Sequence, residues 1–97
     1  PDDLELTSKV ADLLIELGRR QDAADFDGLL LAQNPFHRSF ERHVEWLRES
    51  GDELELAAIL SRRAEASKGE EAGTLWLEAA ASFRRALLSA FSSFNPP

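Results

Sequence analysis

LELTSKVADLLIELGRRQDAADFDGLLLAQNP, residues 4–35, decides the fold class of this 97-residue chain. Leu6, Val10, Leu13, Leu14 and Leu17 recur at the three- and four-residue steps of one helix face, and Gly18 supplies a stop. Beyond it Ala23, Phe26 and Leu30, with Leu29 and Leu31 beside them, form a second apolar face. That face has to end by Asn34, because Pro35 disfavours helical geometry in the residue before it. With Asp2 and Glu5 as a capping box, the spacing predicts helices over 3–17 and 20–33.

Working outward, Phe36, Phe40, Val44 and Leu47 mark a third helix over 36–50, stopped at Gly51 as the first is stopped at Gly18. Asp52 with Glu55 repeats the capping signature, and Leu56, Ile59, Leu60 and Ala64 give a fourth helix over 53–67 before Gly69. Glu70 and Glu71 suit a helix N-terminus, and Trp76, Ala80, Phe83, Leu87 and Phe91 carry a stripe along a fifth helix over 70–91. A polar tail, 92–97, follows. The β-branched residues are Val10, Ile15, Val44, Ile59 and two threonines, with no alternating run among them. The class is therefore all-α, and connections of two or three residues make neighbouring helices antiparallel.

Composition narrows the function classes. Hydrophobic residues make up 43% and charged residues 30%, too apolar for a disordered segment and too charged for a membrane protein. No run approaches the roughly 20 apolar residues needed to cross a bilayer. Eighteen acidic against eleven basic residues leave a net charge of -7, which argues against nucleic acid as a partner. The absence of cysteine removes thiolate chemistry and disulfides and fits a reducing, cytoplasmic compartment. A chain without methionine that opens on Pro1 is expected to be a piece of a longer polypeptide.

Sliding the sequence by 34 residues brings Leu6 onto Phe40, Val10 onto Val44, Leu13 onto Leu47, Ala23 onto Ala57, Phe26 onto Leu60 and Leu30 onto Ala64. Two helices make one unit, and Pro35 falls over Gly69 at the break between units. A helix-turn-helix unit of this length, with small Ala23 early in its second helix and Pro35 at its end, resembles the tetratricopeptide repeat. Val10, Ala11 and Leu14 stand where that family has leucine, a small residue and an aromatic. Thr7 departs from its bulky aromatic, and Glu45 and Arg48 occupy two core-type places of the second unit.

The resemblance implies a single domain over 1–97, with repeat one at 4–35, repeat two at 36–69, and 70–91 as the first helix of a third repeat or a cap. It also implies antiparallel pairs stacked as a short right-handed superhelix, binding a partner peptide or neighbouring domain in a concave groove without catalysis.

On that reading Ser39, Arg42, Trp46 and Glu49 face the groove, and the repeat carries this face to Asp12 on helix one and Trp76 on helix five. Asp12, Arg42, Trp46 and Trp76 are the groove candidates, the tryptophans as anchors for a protein or peptide that the acid-rich rim would favour being basic. The bland alternative has both tryptophans covering core edges. Phe83, Leu87 and Phe91, with no following helix to cover them, are candidates for self-association as a homodimer.

Other constellations are weaker. His37 and His43 stand six apart on one predicted helix and point from different faces, so no metal or other cofactor is expected. Arg19-Arg20, Arg62-Arg63 and Arg84-Arg85 read as surface ion-pairing residues. Serines, histidines and acids are scattered without a Gly-rich loop or nucleophile elbow, which argues against an enzyme.

Overall fold

The computed structural model describes residues 2–94, apart from the side chains of Asp2 and Phe94. The capping box read on Asp2 and the end of the polar tail, 95–97, lie outside the described residues. Five helices follow one another: α1 (Asp2–Glu16), α2 (Arg20–Gln33), α3 (Phe40–Ser50), α4 (Glu53–Glu65) and α5 (Gly69–Phe94). Among the described residues there is no strand. The fold is all-α, and the contacts divide the chain into two compact units, Pro1–Trp46 and Leu47–Pro97.

The same turn closes α1 and α3. Gly18 and Gly51 both adopt φ +76°, a left-handed conformation that costs a residue without a Cβ little. After α1 the Arg19 N–H donates to the Leu14 carbonyl at 2.9 Å and the Gly18 N–H to that of Ile15 at 3.0 Å. After α3 the Asp52 N–H reaches the Leu47 carbonyl at 3.0 Å and the Gly51 N–H that of Arg48 at 3.3 Å. Both are Schellman closures, which satisfy carbonyls the helix ends would otherwise leave orphaned. The Asp52 carboxylate then caps α4 by accepting from the Glu55 N–H at 3.2 Å.

Helix α3 starts at Phe40 rather than 36. Asn34 Oδ1 accepts from the Phe36 N–H at 3.0 Å, and His37 Nδ1 accepts from the Ser39 N–H at 3.1 Å. These side-chain bonds compete with helix formation and hold 34–39 as consecutive turns.

In the first unit α1 packs on α2. The buried residues there are Ser8 and Ala11 on α1 and Ala23, Ala24, Asp27, Leu30 and Leu31 on α2, joined by Ser39, Phe40, His43 and Val44. The leucine stripe expected to be the α1 core lies elsewhere: Leu13 is 55% and Leu17 64% exposed, Leu6 is exposed too, and Val10 and Phe26 are half-buried. Of the two apolar faces read on these helices, Ala23, Leu30 and Leu31 on α2 are the fully enclosed residues. Small residues on both helices bring the two backbones close, and the larger leucines of α1 are left on the opposite side.

The second unit repeats this choice. Helix α4 buries Leu56, Ala57, Ile59, Leu60 and Ala64, the face its sequence predicts. Helix α5 meets it with Leu75, Ala79 and Ser82, and its aromatic stripe stays outside, with Trp76 45%, Phe83 49% and Phe91 64% exposed.

Stability should track this division. Leu30→Ala and Leu60→Ala are expected to cost about 2–5 kcal/mol, while Leu13→Ala and Leu17→Ala stay below about 1 kcal/mol. Ala11→Leu, which forces bulk into a fully enclosed position, should cost about 1–3 kcal/mol. Urea unfolding followed by circular dichroism measures all five.

Candidate interaction surfaces

Asp27 sits on the buried face of α2, one turn after Ala23 and three residues before Leu30, with its side chain 2% exposed. A carboxylate so placed must be paired, because an isolated buried charge is costly. Its partner is Arg42 on α3. The Arg42 Nε donates to Oδ2 at 2.8 Å and Nη2 to Oδ1 at 2.7 Å, a two-pronged match of guanidinium to carboxylate. The third nitrogen, Nη1, donates to Asp12 Oδ1 on α1 at 3.1 Å, so Arg42 ties all three helices of its unit together.

Arg38 completes the network from the turn before α3. It donates to Asp12 through Nη2 at 2.5 Å and Nη1 at 3.2 Å, and its Nη2 also reaches the buried Ser8 Oγ at 2.9 Å. The hydrogen bond from Arg38, with Arg42 adding to it against a partial desolvation, holds the Asp12 carboxyl below its ordinary range. Hydrogen bonding to Asp27, followed by Asp12, raises the Arg42 guanidinium. Next to this cluster His43 is buried, with its ring against Gly28, where an added Cβ would lie 3.8 Å from Nε2.

Two of the four groove candidates, Asp12 and Arg42, thus meet in space, and their charges are spent on each other, Asp27 and Arg38. Trp46 is half-buried and lies under the Arg20 guanidinium, 5.1 Å from ring centroid to Cζ. Trp76 belongs to the other unit. Asp27 and Arg38 were not singled out in the sequence; an acid spaced three and four residues from Leu30 and Ala23, on the buried side of α2, is the pattern that marks the first.

The second unit holds a groove of about 420 Å3 between α4 and α5, lined by Leu54, Ala57 and Ala58 on one wall and Trp76, Ala80 and Phe83 on the other. Ser61 is the polar side chain of the lining. The groove exists because alanines line both helices at mid-height while Leu54, Trp76 and Phe83 stand at its edges. Beyond it on α5, Leu87 is 46% exposed and Phe91 continues the stripe. On the far side of α5, Arg85 donates to Glu53 Oε2 at 3.0 Å and to Ser82 Oγ at 3.1 Å, and the Arg85 hydrogen bond holds Glu53 below its ordinary range. Arg48 pairs with Glu78 at 3.0 Å.

Among the described residues no group of three or more His, Asp or Glu side chains is placed to hold a metal ion, and no helix is long and apolar enough to cross a membrane. Compared with protein-family models, curated proteins and solved structures, the chain matches none of them.

The two arms of the network should differ in weight. Asp27→Ala leaves a partly buried guanidinium without its main counter-charge and is expected to cost about 3–5 kcal/mol. Asp12→Ala, whose partners are more open to water, should cost no more than about 1 kcal/mol. Acid unfolding gives a second check. Because Asp12 and Glu53 have lowered folded-state values, their contribution is complete above the ordinary carboxylate range and disappears as pH falls through those values. Wild type should lose more stability between about pH 5 and about pH 3 than the Asp12→Asn, Glu53→Gln double variant.

Proposed function

We propose that this chain is a non-catalytic protein-interaction module of tetratricopeptide-like, helix-paired architecture, and that its docking surface is the α4–α5 groove. The groove carries the proposal: an apolar trough with tryptophan and phenylalanine on one wall and alanines along it has the chemistry to seat an amphipathic helix. Supporting the repeat architecture, the Gly18 and Gly51 closures share one hydrogen-bond pattern 33 residues apart. Because the lining is nearly free of polar groups, affinity comes from apolar burial, with Trp76 and Phe83 as anchors.

Asp12 and Arg42 take a different role on this reading. They hold the first unit together, and the residues that contact a partner are Trp76, Phe83, Leu54 and the alanines between them.

Selection from a displayed library of helical peptides tests the proposal. Enriched sequences should carry apolar residues at three- and four-residue spacing, and Ala80→Glu, a change at an exposed position of the groove wall, should weaken their binding by about 100-fold with helicity unchanged. Peptides that bind Ala80→Glu as well as wild type would remove the groove from the function.

A further inference from the structure

Helix α5 has 26 residues and α4 has 13, about 39 Å against about 20 Å at the usual rise. The start of α4 lies level with Arg85, through Glu53, and with Ala86 and Ser89, so the last turns of α5 run beyond the helix that covers it. The exposed positions follow a seam: Trp76, Ala80, Phe83, Leu87 and Ala90 alternate steps of four and three residues, the spacing with which one helix packs along another, and Phe94 is the next step in the sequence.

The seam also reads the same in both directions. Reversed about position 85, Trp76 falls on Phe94, Ala80 on Ala90 and Phe83 on Leu87, so large meets large and small meets small. About a two-fold axis level with position 85 each of these pairs is made twice, once by each copy, so one matched contact is doubled along the seam.

We infer that the occupant of the α4–α5 groove is a second copy of this chain, with α5 of one copy packed antiparallel against α5 of the other about a two-fold axis at position 85. The inference rests on the groove being an interaction surface and names what fills it. A two-fold perpendicular to antiparallel helices sets the C-terminal half of each α5 against the α4–α5 groove of the other copy, where Leu54 and Ala58 face it.

Area and charge agree with this occupant. Leu54, Trp76, Phe83, Leu87 and Phe91, between 45% and 64% exposed, offer on the order of 550 Å2 per copy at 200 Å2 for a fully exposed large side chain. With the seam alanines added, two copies bury more than the roughly 1,200 Å2 at which specific dimers begin. Over 79–94 the charged residues are Arg84 and Arg85, with no acid. Arg85 is held by Glu53 and Ser82, and Arg84 lies at the seam's edge on the flank away from α4, so the seam buries no charge. The two Arg84 side chains come near each other at the axis, and each copy carries a charge of -7. Added salt therefore tightens the pair by screening repulsion.

Sedimentation equilibrium of the whole chain should give twice the monomer mass, with association strengthened between about 0.05 and about 0.5 M salt. Leu87→Glu, at a position already 46% exposed within one copy, should weaken association by more than about 100-fold and leave the helical circular dichroism signal intact. Orientation is read by oxidation, since the chain has no cysteine of its own. Ala80→Cys mixed with Ala90→Cys should give the mixed disulfide. Ala80→Cys alone should not cross-link, its copies being about 15 Å apart along the axis. Homodisulfides at Ala80→Cys, or a wild-type chain monomeric at about 1 mM concentration, would overturn the inference. A monomer that still binds selected peptides through Ala80 would keep the groove reading and assign it another protein helix. A monomer that binds neither peptides nor itself but adsorbs to anionic lipid vesicles would overturn both and give the stripe to a lipid surface.

Discussion

Close approach of helices through small residues is the constraint on which this structure rests. Ser8 and Ala11 on α1, Ala23 and Ala24 on α2, Ala57 and Ala64 on α4, and Ala79 and Ser82 on α5 are all buried. Short side chains at a contact let two backbones come nearer than leucine permits, and the dispersion gained along the closer contact replaces the bulk that is missing. The larger residues then fall where the small ones are not. Leu6, Leu13 and Leu17 on α1 and Trp76, Phe83, Leu87 and Phe91 on α5 stand outward for the same reason.

In the first unit that close packing would be weak alone, since alanine and serine bury little area. The Asp27–Arg42 pair supplies the direction that small residues cannot. A planar guanidinium bound at two points fixes the angle of α3 against α2, and its remaining nitrogen fixes α1 through Asp12. Leu30 and Leu31 provide the apolar burial beneath it. In the second unit the order reverses: α4 contributes Leu56, Ile59 and Leu60, and ion pairs such as Arg85–Glu53 lie at the rim. One unit is held by a buried charge pair and the other by aliphatic packing, with the same turn closing α1 in one and α3 in the other.

This arrangement gives a physical reason for exposed apolar surface in an acidic chain. A hairpin that uses its small-residue face for its own core has its large-residue face left to cover something else, and the α4–α5 groove is where that surplus is concentrated. The core of α5 and its exposed stripe then draw largely on different residues of one helix, so the outer face can change without dismantling the inner one. Leu75 and Ser82 belong to the core, Trp76, Ala80 and Phe83 to the groove, and Ala79 is shared by both.

By itself the sequence determined the number of helices and most of their boundaries, because glycine and proline stops and acidic caps are local chemistry. Gly18, Gly51 and Asp52 act where the chain places them. It also determined the buried faces of α3 and α4, where Phe40, Val44 and Leu47, and Leu56, Ile59 and Leu60, are the apolar residues at helical spacing. Only the tertiary structure decided which face of α1 and α5 turns inward. Each of those helices carries two candidate stripes, one large and one small. A pattern of hydrophobicity ranks the large one first, whereas packing distance is set by the neighbour that the helix meets. The Arg42 network was hidden for the same reason: the charges that meet there come from positions 12, 27, 38 and 42 on three helices and a turn, and no local spacing brings them together.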